Sequence, residues 1–289
     1  MGDAATHDWS GWLGREQVSH DLLDPALAAR WAGTFDLAAP DAGAMPQGIH
    51  LCLCTPDAPS AALGEDGHPE RNDRADSFFP PVPLPRRMWA ASKMQFHAPL
   101  VIGAQIERVS RIASIEEKSG RSGTLVFVDV DHRTSADGAL AVTERQTLVY
   151  REAAASDAPL SPPPATVDQF DPADWDTHHT LVPDPRLLFR YSALTFNTHR
   201  IHYDAPYARD VERYRGLVVH GPLMASLLLQ LAAREFGDNR LASFGFRAIS
   251  PAIADEPLHL ALRQGEAGIE LAAIAADGRE CLKARASLT

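Results

Sequence analysis

The chain has 289 residues, 45% of them hydrophobic and 22% charged, with a formal net charge of −11. Such a length suits two domains of roughly 130 residues each, and the composition is that of an ordinary globular protein. The acidic balance argues against a nucleic-acid backbone or an anionic membrane as main partner, since both attract basic surfaces.

The first nine residues, Met1 to Trp9, lack the basic region and apolar core of a targeting segment, so a reducing cytoplasm is the expected setting. Asp24-Pro25 opens a short helical pattern through Trp31, the expected buried helix of the first half. Ile49-His-Leu-Cys-Leu-Cys54 alternates like a buried strand, which makes Cys52 and Cys54 core thiols; with Cys281 they are too few for a disulfide framework. Seven prolines between Pro56 and Pro85 rule out a helix or an inner strand there. Strand-like runs follow at 105–112 and 124–132, separated by a turn over 116–123, and at 139–150 after the turn Ala136-Asp-Gly138. The proline-rich stretch 153–166 is the best linker, giving a first domain over 1–152, a connection over 153–170 and a second domain over 171–289. His178-His179 reads as exposed, next to linker-like sequence.

The second half centres on Leu223–Phe236, apolar on nearly every face and therefore a buried helix, started by Pro222 and stopped by Gly237. Strand-like runs follow at 241–251, 258–263, 269–275 and 281–286. Phe96-His-Ala with Pro99 and Phe246-Arg-Ala with Pro251 hint that the halves repeat. The expected fold class is α+β, two antiparallel sheets each wrapping a buried helix. The apolar stretch around 217–233 is broken by His220, Gly221, Pro222 and Gln230, so no membrane span is expected.

Chemistry concentrates just before the second helix. The N–H groups of Gly221 and Leu223, the helix dipole and His220 offer a place for a carbonyl oxygen that becomes negative. Upstream lie Asn197 and His202. Five residues turn a regular helix by roughly 140° beyond one full turn, so these two converge only on an irregular segment. Asp204 as N-cap, with Pro206 in the next turn, starts a short helix right after His202 and supplies that irregularity. His202 suits proton transfer, because an imidazole titrates near 6.5. His199, His202 and His220 lack a carboxylate or cysteine at ligand spacing, so no metal is expected. No G-x-S-x-G elbow, P-loop or dinucleotide fingerprint is present.

Arg190-Tyr-Ser-Ala-Leu-Thr-Phe-Asn197, His199-Arg-Ile-His-Tyr-Asp204 and Leu217-Val-Val-His-Gly-Pro-Leu223 resemble the hydratase motif of the MaoC-like family, in the branch of mesaconyl-C4-CoA and itaconyl-CoA hydratases and mitochondrial 3-hydroxyacyl-thioester dehydratases. Leu63-Gly-Glu-Asp-Gly-His-Pro69, Pro83-Leu-Pro-Arg-Arg-Met-Trp89 and Lys118–Phe127 agree with that branch. The resemblance implies a double hotdog fold and reversible hydration of an enoyl-CoA, most closely a branched C5 dicarboxylic acyl-CoA, with no cofactor and with a homodimer as default. It implies His202 as acid/base, Asn197 as its water-holding partner and Gly221 N–H as oxyanion donor. Tyr191, His220, Trp89, Arg86, Arg87 and Arg200 become substrate-binding candidates, the arginines for a distal carboxylate or CoA phosphates. One departure stands out: Asn197 and His199-Arg200 occupy positions where the wider family shows aspartate and Asn-Pro. An asparagine amide orients water but cannot take its proton. The work then falls on His202, alone or with Asp204 or a first-half residue. A fatty-acid 3-hydroxyacyl dehydratase, a hotdog thioesterase and a non-catalytic acyl-thioester binding module stay open as alternatives.

Overall fold

The computed structural model describes residues 7–38, 43–71, 74, 77–120, 123–164, 167–266 and 268–289. The first half runs β1 (Glu16–Leu22), α1 (Pro25–Thr34), β2 (Arg86–Phe96), β3 (Gln105–Gly120), β4 (Gly123–Ala136) and β5 (Ala139–Arg151). The second runs β6 (Thr177–Leu181), α2 (Pro185–Leu194), α3 (Ala205–Asp210), α4 (Gly221–Phe236), β7 (Leu241–Ala248), β8 (Leu258–Gly265), β9 (Gly268–Ala275) and β10 (Glu280–Leu288). The strands form one antiparallel sheet in the order β1-β3-β4-β5-β2-β7-β10-β9-β8-β6. Each half contributes the same five-strand order, and the second reads as the mirror of the first. The halves join where β2 pairs with β7, from Ala91↔Arg247 to Gln95↔Ser243.

The local causes repeat as well. Asp24 accepts the N–H of Leu27 and Asp184 that of Leu187, each followed by a proline in the first helical turn. α4 buries Leu223, Met224, Leu228, Leu229 and Leu231 in a core shared with Trp31, Phe244 and Leu260. It ends at Gly237, whose φ of 92° suits a residue without Cβ and whose N–H reaches the Ala233 carbonyl. No helix among the described residues is long and apolar enough to cross a membrane.

Three local expectations need correction. α1 forms where the sequence places a helix, but it follows β1 as α2 follows β6, so α2 is its counterpart, and the two pack together. The position matching α4 falls instead in the segment between α1 and β2. There Ile49–Cys52, expected as strand, is a single 3-10 turn entered through Gly48 at φ 109°. A Cβ at Gly48 would stand 3.3 Å from Leu229 Cδ1, so the turn lies directly on α4. Packing against that helix overrides the alternation. The charged stretch Glu116–Ser119 is not a turn: it continues β3, pairing with β4 up to Gly120↔Gly123, while residues 121 and 122 of the expected turn lie outside the described residues. His178 and His179 are exposed, as expected, but within edge strand β6.

Candidate active site

Between α2 and α3 the chain has no regular structure except a 3-10 turn at Arg200–His202. Asp204 caps α3 by accepting the Tyr207 N–H, and so ends that turn where the sequence predicts. The turn is laced to the strand-like approach to α4: Val218 N–H donates to the Ile201 carbonyl at 3.0 Å. The His202 ring donates from Nδ1 to the Val218 carbonyl at 2.7 Å. This bond assigns the tautomer, leaving Nε2 as an unprotonated lone pair. Burial pushes the His202 imidazole down to about 4, so it is neutral near pH 7.

His202 stacks on His220 with ring centroids 3.6 Å apart. His220 is the N-cap of α4 and immediately precedes Gly221, so the imidazole sits over the helix tip. His220 Nε2 bonds Ser192 Oγ at 2.8 Å, while its Nδ1 is buried without a partner among the described residues. Burial holds His220 well below the usual imidazole range. Tyr191, 1% exposed, meets the His220 ring edge-on at 5.2 Å and points its hydroxyl at Ser226 Oγ, 3.4 Å away.

A cavity of about 990 Å³ runs past these groups. Asn197, His199, His202, His220, Gly221, Tyr191, Trp89, Arg86 and Arg87 all line it. Arg200 does not. It faces outward, holding Asp204 through Nε and Nη2 at 3.0 and 2.7 Å and lying over the Tyr207 ring at 4.0 Å. Substrate binding by Arg200, and help to His202 from Asp204, are therefore withdrawn. Arg86 reaches the cavity wall but is already engaged: its Nε lies 2.6 Å from Glu212 Oε2, and Nη2 donates to the Glu212 carbonyl. It ties the halves together rather than waiting for a substrate carboxylate. Arg87 contacts the Phe79 ring at 5.8 Å and makes no ion pair among the described residues. Trp89 spends its indole N–H on the Ala91 carbonyl and Ser92 Oγ, leaving its ring as a wall. Asn197 Oδ1 accepts the His199 N–H at 2.9 Å, folding the loop, and its amide NH₂ is the group that can donate to a water.

The sequence profile of the hydroxyacyl-thioester dehydratase type 2 family matches residues 48–254. A mesaconyl-C(4)-CoA hydratase of Chloroflexus aurantiacus is 44% identical over 285 residues, covering 97% of this chain and 98% of that protein. The chain belongs to the type 2 dehydratase family. It is accordingly a hydro-lyase of the MaoC-like class. HtdX of Mycobacterium tuberculosis superposes with a TM-score of 0.68 at 19% identity, over 95% of this chain and 100% of that one. A second M. tuberculosis protein, described as a double hotdog, gives 0.59 at 14% identity, over 96% of each chain. The fold is therefore the double hotdog.

Two groups that this type 2 dehydratase brings to the site carry no assigned role in the sequence reading. His68 lies against His199 with centroids 4.1 Å apart, and His199 meets His202 edge-on at 5.4 Å. Asp66 accepts both the backbone N–H and the ring Nδ1–H of His68 at 2.9 Å. Burial alone would raise the Asp66 carboxyl, yet the His68 bonds hold it low, and burial pushes His68 down to about 4. The signal was the Leu63–Pro69 motif, visible but without a chemical part. These are the first-half residues that reach the His202 cluster. Asp66, His68 and His199 also place ligand atoms within 4.8 Å of one another. A carboxylate therefore does stand at ligand distance from His199, which spacing along the chain did not show; both Asp66 oxygens are already bonded to His68.

Proposed function

We propose that the chain catalyses reversible hydration of an enoyl-CoA, with a branched C5 dicarboxylic acyl group such as that of mesaconyl-C4-CoA as substrate and citramalyl-CoA as product. The observation that carries this reading is the neutral His202 ring, its Nε2 free, stacked on the residue that precedes the Gly221 tip of a buried helix. Water oriented by the Asn197 amide attacks the β-carbon while His202 Nε2 takes its proton. The double-bond electrons move toward the thioester oxygen, which the Gly221 N–H and the positive end of α4 stabilise. The imidazolium then returns its proton to the α-carbon, so water is added across the bond and nothing else is consumed. Arg87, at the cavity wall without an ion-pair partner among the described residues, is assigned to CoA phosphate. The 44% identity to a protein named mesaconyl-C(4)-CoA hydratase supports the dicarboxylic substrate over a fatty-acyl one. Free thiols at Cys52, Cys54 and Cys281 fit a reducing, cytoplasmic setting.

The test is loss of enoyl-thioester absorbance with crotonyl-CoA and mesaconyl-C4-CoA. His202→Ala is expected to lower kcat by about 10²–10⁴-fold. Asn197→Ala should cost less and leave CoA-ester affinity near wild type. Wild-type activity in His202→Ala would overturn the assignment; release of free CoA thiol would indicate a thioesterase; no change in either substrate would leave a binding module.

A further inference from the structure

The first-half wall of the cavity is polar, and it carries a cation, Arg108, that has no ion-pair partner among the described residues. Arg108 of β3 donates from Nη2 to the His50 carbonyl at 2.6 Å and from Nε toward Thr134 Oγ1 at 3.4 Å. Among the described residues no carboxylate comes within ion-pair distance of it. Glu144, the buried acid on the same wall, accepts from Ser92 Oγ and lies beyond ion-pair distance of Arg108; burial raises it, while the Ser92 bond and the Arg108 charge act the other way. His50 and His132 are pushed down to about 3 and about 4, chiefly by burial and then by Arg108 itself, so neither adds charge near neutral pH. His132 bonds Ser110 Oγ at 2.8 Å and Gln146 Oε1 at 3.4 Å, which leaves the Gln146 amide NH₂ as a spare donor.

A part-buried guanidinium without an anion is costly, and an apolar acyl tail laid against it would make matters worse. A carboxylate would be received in the fork geometry that arginine provides. Arg108 and Gln146 line the same cavity as His202 and Gly221, so an acyl group held at the helix tip shares its space with them. We infer that Arg108, with Gln146 beside it, is the specificity residue that reads a carboxylate on the acyl group. The inference rests on the hydratase reading and names how that reaction selects dicarboxylic substrates.

The test compares kcat/KM for mesaconyl-C4-CoA and crotonyl-CoA in wild type, Arg108→Met and Arg108→Lys. Loss of a buried charged partner is expected to cut the preference for the dicarboxylic substrate by at least roughly 100-fold in Arg108→Met, with Arg108→Lys between. An equal loss on both substrates would make Arg108 a CoA-phosphate or structural residue and overturn the inference, as would an unchanged ratio. Binding to the wild-type protein supplies a readout that needs neither turnover nor a folded variant. By calorimetry, succinyl-CoA is expected to bind at least about 10-fold more tightly than butyryl-CoA; equal affinity would overturn the inference even if hydration were confirmed. If wild type hydrates neither substrate, the hydratase reading fails while the calorimetric comparison still decides the carboxylate site.

Discussion

His202 has one nitrogen for chemistry because the Val218 carbonyl has claimed the other. Its neutrality comes from burial, not from a carboxylate partner, since Asn197 stands where the wider family has an acid. In the proposed mechanism the active base is the unprotonated ring, and it is lost only as pH falls toward about 4. Over the pH range in which the protein stays folded, kcat/KM is therefore expected to show no acid limb at the usual 6.5, with rates level from pH 6 to 8; a pH–rate profile checks this, and a limb at 6.5 would contradict the buried, neutral ring. At this scale the sequence was most legible where a motif carried the residue: His202, Asn197, Tyr191, His220 and Gly221 all reach one cavity. It was least legible for the arginines. Residue type and neighbourhood suggested anion binding, but direction decided. Arg200 turns to Asp204 four residues on, and Arg86 to Glu212 in the other half. Arg108 had no motif to mark it.

Among elements, the loop 64–68 acts as a brace on the 197–202 segment. Arg200 N–H donates to the Asp66 carbonyl at 2.9 Å, and Thr198 Oγ1 to the Gly67 carbonyl at 2.6 Å. Gly67 has φ +86°, and a Cβ there would sit 1.8 Å from the Thr198 carbonyl oxygen. Gly67→Ala is thus expected to destabilise the protein by about 2 kcal/mol and to lower kcat by shifting the 197–202 segment. Thermal unfolding and steady-state kinetics check it; a stable, fully active variant would show that the brace is dispensable. The long helix α4 was readable from its uniform apolarity, and α3 from its Asp-x-Pro start. The 3-10 turn at Ile49–Cys52 was not, because six alternating residues fit a strand equally well and only contact with α4 decides between them.

For the whole molecule, the repeated order of elements was visible in the chain, whereas the join of β2 to β7 was not. Pairing between segments about 150 residues apart leaves no local trace in composition. The assembled core also gathers histidines that burial keeps neutral: His50, pushed to about 3, and His68, His132 and His202, pushed to about 4, with His199 and His220 also well below the usual value. In the unfolded chain these rings take protons near 6.5, so between about 6.5 and 4 the unfolded state binds more protons. Their contribution to stability is complete above about 6.5 and is lost as pH falls toward 4, on the order of 1 kcal/mol per histidine per pH unit. Urea unfolding at pH 7.0, 5.5 and 4.5 is expected to show a steep decline in the midpoint; a midpoint independent of pH over that range would contradict it.

The β2–β7 seam has a further consequence. When two identical protomers meet across such a seam, every change made for one pocket is imposed on the other. Duplication within a single polypeptide lifts that constraint, so one half can drift while its sister stays fixed. Here the half with α4 carries His202 and the Gly221 helix tip, whereas the other half has a 3-10 turn at Ile49–Cys52 and a polar wall holding Arg108. On the proposed reading, His202 and Arg108 then lie on different stretches of sequence, which lets a lineage change its acyl preference at β3 without touching the imidazole itself.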